Sequence, residues 1–286
     1  MNLKSAKGLF ICGAMLALGA LLPGCTTHQH QMFSPQSGPG YYTTPASGRG
    51  TYYDYSAATP SPAFYDLPFQ QVDGYSVTGL HFPSSERNGQ PGNLVDARYY
   101  RSHSGGRKPL LIVLPIWATH TFPATVVSNG YALHSAGAAN ILWMQGDGAL
   151  FDWFEIADIE SEDEFIAAVE DSSERFRAVT IDTRRLIDWA ATRPEIDSSR
   201  IGIIGFSMSA LVGANAAGND PRIHTAVYVL GGARPWDMMA ECNLVVQYMR
   251  EQVSDTLSWS QEQYREFFPR LLLYGDPARW KRYRGG

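Results

Sequence analysis

Cysteine is nearly absent from this 286-residue chain: Cys12, Cys25 and Cys242 are the only three, too few for a disulfide scaffold. Cationic side chains are also scarce, 23 Lys+Arg against 28 Asp+Glu, for a formal net charge of −5. Binding to a phosphate backbone calls for the reverse balance, so nucleic acid is a poor partner class. The longest apolar run, residues 8–22 (GLFICGAMLALGALL), is 15 residues long, short of the roughly 20 that a spanning helix needs. Histidines and cysteines do not cluster at metal-ligand spacing, and there is no glycine-rich phosphate loop, so neither a metal nor a nucleotide cofactor is expected. No segment repeats. What is present, 44% hydrophobic, 12% aromatic and 18% charged residues, is the composition of a folded globular domain.

Lys4 and Lys7 precede the apolar run and Pro23-Gly24-Cys25 follow it, the charged, apolar and small-residue order of an export signal. Leu22-Pro23-Gly24-Cys25 resembles the bacterial lipobox. That resemblance implies a signal peptide over residues 1–24, a diacylglyceryl group on the Cys25 thiol, and the membrane as a partner through that lipid. Thr26, where an Asp marks retention at the inner membrane, implies an outer-membrane anchor facing the periplasm. Cleavage takes the net charge from −5 to −7 and leaves Cys242 as the one thiol of the folded part, so no internal disulfide is expected. Residues 25–62 hold five prolines and five tyrosines, among them Tyr53 and Tyr55, with no apolar period. They read as a flexible tether, the alternative being a partner-binding tyrosine segment.

Residues 63–286 alternate strand and helix patterns. Residues 76–82 (SVTGLHF) and 94–101 (LVDARYYR) predict an antiparallel hairpin. Residues 110–116 (LLIVLPI), 140–144 (NILWM), 200–206 (RIGIIGF) and 223–230 (IHTAVYVL) are apolar enough for strands covered on both faces. Helices are predicted over residues 125–136 and along the face of Phe176, Val179, Leu186, Ile187 and Ala190. The acidic stretch 155–174 reads as a solvated helix face or loop in preference to a carboxylate metal site. Such alternation implies βαβ units in a mostly parallel sheet, with ligands at the carboxyl ends of the strands.

At one of those ends stands Gly205-Phe206-Ser207-Met208-Ser209, where strand passes to helix. Together with residues 182–189 (DTRRLIDW), 193–197 (RPEID) and 220–223 (DPRI), it resembles the α/β-hydrolase superfamily, in particular dienelactone-hydrolase-like and acetyl-esterase-like serine hydrolases. The resemblance implies an α/β-hydrolase fold, a small-molecule acyl or ester substrate, no cofactor, and Ser207 as nucleophile. It gives the Met208 N–H as one oxyanion donor and Trp117, after the first buried strand, as the second. Ser209 stands where the usual elbow has glycine and is small enough to be tolerated.

A serine nucleophile needs a base and an acid that orients it. By family order both follow the serine, but His224, the one later histidine, begins a strand at the far end from the elbow. His120 is therefore the substitute base. Asp276 is the candidate acid if residues 270–274 (RLLLY) are a strand. The rival reading makes Asp276-Pro277 a helix start and ends the chain before the acid- and base-bearing strands, a truncated fold. Residues 236–268 then form a cap whose Met238, Met239, Cys242, Val245, Val246 and Met249 make an apolar helical stripe, packed against the domain or lining an acyl pocket. Two functions from different classes stand: an ester-cleaving serine hydrolase, and a catalytically inactive or truncated hydrolase-like lipoprotein that binds a ligand.

Overall fold

In a computed structural model, residues 53–55, 60–67, 72–85, 94–115, 124–145, 153–231, 239–243 and 245–271 are described, all within one unit, Tyr42–Gly286. The apolar segments build the centre of a seven-stranded sheet: β1 (Ala63–Asp66), β2 (Tyr75–Pro83), β3 (Leu94–Ser102), β4 (Lys108–Val113), β5 (Asn140–Gln145), β6 (Ile196–Phe206) and β7 (Ile223–Val229). Their order is β1-β2-β3-β5-β4-β6-β7. The expected hairpin is β2–β3, with Val77 opposite Tyr100. The sheet is mixed more evenly than expected, because β1, β2, β3 and β5 pair antiparallel while β5, β4, β6 and β7 pair parallel.

Alternation along the strands sorts side chains into two cores. Leu110, Ile112, Leu142, Met144, Ile201 and Ile203 enter one core. Val113, Ile141, Trp143, Ile204 and Phe206 enter the other, under α1 (Ala124–Ser135), which contributes Ala132. The larger core is roofed by α3 (Glu162–Ala191) and α4 (Met208–Asn219), through Phe165, Val169, Leu186, Leu211 and Val212. Each fully buried Leu or Ile of this kind is worth roughly 1.5–3 kcal/mol.

The acidic stretch is helical from Glu162 onwards, so one 30-residue helix replaces a helix confined to its second half. Ser161 caps it by accepting from the Glu164 N–H at 3.3 Å, and the Glu164 carboxylate accepts from the Glu160 N–H at 2.8 Å. Glu162, Asp163 and Glu164 thus sit where the helix dipole favours negative charge. Deeper in α3, the buried Asp182 carboxylate accepts from the Ser84 hydroxyl, from the Ser85 N–H at 2.8 Å and from Arg185 at 2.8 Å. Burial pushes its carboxyl above the usual range against those three donors.

Three expectations are corrected. The tether does not run unbroken to residue 62, since Tyr53 is 1% exposed and Tyr55 donates to Asp188 at 2.8 Å, with the Arg184 guanidinium 4.8 Å over its ring. These two tyrosines are held by the domain itself. The apolar stripe is not one helix: the helical turn that includes Met239 ends at Glu241, and α5 (Val245–Leu257) starts afresh. Met239, Val246 and Met249 are nonetheless packed in the larger core, as a packed face requires. Lastly, Arg270 and Leu271 belong to α6 (Gln261–Leu271) and not to a strand. Ser260 and Gln263 form a reciprocal capping box that starts this helix, at 3.2 and 2.7 Å. The short α2 (Trp153–Ala157) packs against α5.

Candidate active site

The parallel strands deliver their carboxyl ends to one edge of the sheet, where Phe206 pairs with Val229 and Ile204 with Val113. Ser207 follows β6 directly and is the N-cap of α4, at φ 52° and ψ −121°. A non-glycine residue there is strained by about 1–3 kcal/mol, a cost that persists only where the surroundings impose it. They do so here. The Ser207 N–H donates to the Val229 carbonyl at 2.8 Å, and the Ser207 carbonyl accepts from the Ala210 N–H at 3.0 Å. A Cβ on Gly205 would lie 2.7 Å from the Ser209 carbonyl carbon and closer still to its oxygen, so a glycine is required where β6 and α4 touch.

Ser209 is more than tolerated. Its buried hydroxyl accepts from the Phe206 N–H at 2.8 Å and donates to the Phe206 carbonyl at 2.9 Å, lacing the turn closed. The Ser207 side chain makes no capping bond and is solvent-exposed. Met208 is the first residue of α4, so its N–H has no acceptor within the helix. An exposed hydroxyl beside an amide with no acceptor in its own helix, at the helix's positive end, is a geometry suited to attack on a carbonyl and to holding the resulting oxyanion.

Leu230, which sequence reasoning did not single out, immediately follows Val229 and is the second strained residue here, at φ 54° and 88% exposed. A leucine closing an apolar strand carries no sequence signal of a positive φ.

The remaining expected site residues divide clearly. Trp117, His120, Asp276 and the lipidation residue Cys25 lie outside the described residues. Among the described histidines, His103, His134 and His224 stand at the opposite end of the sheet, the last as the second residue of β7. His81 reaches the Ser207 end through its pairing with Asp96, itself paired with Gln145, but four strands from β6, about 19 Å at ~4.8 Å per strand. Among the described residues, no group of three His, Cys, Asp or Glu is placed to hold a metal.

No protein-family model matches the sequence, and no curated protein matches it. The structure is similar to acetyl xylan esterase 1 from a Thermoanaerobacterium species, with a TM-score of 0.58 and 18% identity over 77% of this chain and 68% of that one. It is similar also to an acetyl xylan esterase from a Paenibacillus species, with a TM-score of 0.56 and 17% identity over 77% and 69%. The described residues have the α/β-hydrolase fold.

Proposed function

We propose that this chain is an envelope-anchored serine hydrolase that cleaves a carboxylic ester through Ser207. The observation that carries the proposal is the strained backbone of Ser207 at the β6–α4 junction. Strain of this kind, imposed by Gly205 and Ser209, lifts a hydroxyl out of the sheet edge and is a cost without return in a merely structural serine. The two acetyl xylan esterases of similar fold support an ester substrate. In this reading the Ser207 oxygen attacks the substrate carbonyl and its proton passes to a base, for which His120 is the candidate. The carbonyl oxygen takes the negative charge and is held by the Met208 N–H and a second N–H at Trp117, each donor worth about 3 kcal/mol to the transition state. Collapse expels the alcohol, which takes the proton, and water then releases the acid from the acyl-serine. The leader and Cys25 support a lipid anchor in the outer membrane facing the periplasm.

Intact mass of the natively expressed chain, before and after a fluorophosphonate probe, tests both parts. The expected outcome is one adduct on the wild type and none on Ser207→Ala, with a Cys25-dependent lipid mass on both. Absence of adduct on a folded wild type overturns the enzyme reading in favour of a ligand-binding hydrolase-like lipoprotein. A soluble mature protein without lipid overturns the anchor alone.

A further inference from the structure

At the end of the sheet opposite Ser207, the turn from β3 to β4 (Ser102-His103-Ser104-Gly105-Gly106-Arg107) and the Pro194–Glu195 corner enclose a cleft of about 580 Å³. Its frame is fixed. Buried Asn140 accepts from the Ser102 N–H at 2.9 Å and donates to the Glu195 carbonyl at 3.1 Å. The Lys108 N–H also donates to the Glu195 carbonyl at 2.9 Å, the His103 N–H to the Gly74 carbonyl at 2.9 Å, and the His103 ring is hydrogen-bonded to Ser76 at 2.8 Å. On this frame the cationic groups face outward. Arg101 has a side chain 57% exposed and makes no hydrogen bond among the described residues; its one contact is Glu195 at 3.9 Å. Arg107 is exposed and, among the described residues, hydrogen-bonds through its Nε alone, on the Ile196 carbonyl at 3.0 Å.

The carboxylate in the cleft is turned inward. Glu195 Oε1 accepts from Tyr99 at 3.1 Å and from Arg193 at 3.3 Å, and Oε2 is shielded from solvent. Arg101 and Arg107 line the cleft against the single Glu195 carboxylate, so its exposed groups carry a net positive charge on a chain of net charge −5. The glycines add a second signal. A Cβ at Gly105 would meet nothing and its φ is not positive, so neither packing nor conformation asks for glycine there. The amides of Gly105 and Gly106 donate no hydrogen bond among the described residues. What a bare backbone offers is close approach to a ligand.

We propose that this cleft binds the phosphate group of a small ligand, with Arg101 and Arg107 and the Gly105 and Gly106 amides as its donors. Two guanidinium forks and two amides match the several oxygens of a phosphate better than the two of a carboxylate. The cleft exceeds a bare phosphate and has the volume of sites that take whole small molecules, so the phosphate belongs to a metabolite-sized compound or a phospholipid headgroup. The binding does not depend on the hydrolase reading.

The test is a titration of the full chain with inorganic phosphate at constant ionic strength against chloride, followed by amide NMR shifts and by melting temperature. Saturable shifts largest at Gly105 and Gly106, at least tenfold weaker in a folded Arg101→Ser/Arg107→Ser variant, are expected. Arms with glycerol 3-phosphate and with phosphatidylglycerol vesicles then separate a soluble ligand from a headgroup. If the double variant fails to fold, Arg101→Ala alone is expected to weaken binding at least threefold, since that side chain makes no hydrogen bond to lose. Unsaturable shifts, an equal effect of chloride, or equal affinity in a folded variant overturns the proposal.

Discussion

At the carboxyl ends of β6 and β7, the backbone is strained at Ser207 and Leu230 and both residues are exposed; where β3 turns into β4, buried polar groups such as Asn140 and Ser102 are used to hold the chain still. The first end stores strain around the serine proposed as nucleophile. The second invests in rigidity and leaves arginines and glycine amides on the surface. One sheet thus presents a chemically poised end and a rigid, charged end, and changes at the two ends are expected to separate reactivity from stability.

The largest effect belongs to Gly205. Valine there drives a side chain into the Ser209 backbone, so Gly205→Val is expected to lose more than about 4 kcal/mol and to express insolubly. A soluble variant with an unchanged denaturation midpoint would show that β6 and α4 do not meet as closely as described. At the other end, Asn140→Ala removes two hydrogen bonds from buried backbone and is expected to cost about 2–3 kcal/mol. Fluorophosphonate labelling of the folded fraction should stay at the wild-type rate, whereas phosphate affinity should fall. Slower labelling would mean that the two ends are coupled through the sheet.

Much of the elbow end was legible in the sequence because it is local: Gly205, Ser207 and Ser209 lie within five residues, and an apolar strand before them with small residues after them gives strand, turn and helix in order. The rigid end is not local. Glu195, Asn140, Ser102 and Arg101 meet only once β3, β4 and β6 are paired, and no spacing announces it. The same limit hid Tyr53 and Tyr55. Their composition reads as linker, and what holds them, Arg184 and Asp188, lies more than 130 positions away on α3. Sequence pattern left the acidic stretch open between a helix face and a loop, and the capping by Ser161 together with the buried Phe165 and Val169 decides for the helix.

Smaller changes sharpen the contrast. Ser209→Ala loses the hydroxyl that both accepts from and donates to Phe206, which is expected to cost about 1–2 kcal/mol and to slow labelling of Ser207 as the turn loosens. Ser209→Gly, the usual elbow residue, leaves the same bonds unmade and should behave alike in labelling; a wild-type rate in both would confine Ser209 to packing. Tyr55→Phe removes the bond to Asp188, for about 1 kcal/mol at neutral pH. Burial and that bond push the Tyr55 hydroxyl up to about 12 from 10.0. The folded chain therefore holds this proton more tightly than the unfolded one, and the resulting stability is complete below pH 10 and fades as pH rises towards 12. The stability gap between wild type and Tyr55→Phe should narrow over that window in denaturant melts; a constant gap would remove Tyr55 as its source.

Leu230→Gly is expected to change stability least. Removing an exposed leucine from a strand end ordinarily costs about 0.5–1 kcal/mol in backbone entropy, but glycine also releases the strain of a positive φ, of about 1 kcal/mol. The two cancel to within about 0.5 kcal/mol in denaturant unfolding, whereas Leu230→Ala keeps the strain and gains nothing. Function should respond differently. A side chain 88% exposed on the residue after Val229, whose carbonyl holds the Ser207 amide, offers open apolar surface, and a substrate's apolar group is the natural one for it to meet. Both variants should label with a short-chain fluorophosphonate at the wild-type rate and with a long-chain probe several-fold more slowly. Equal loss with both probes would instead assign Leu230 to holding the elbow, and no loss with either would leave its strain without a functional account.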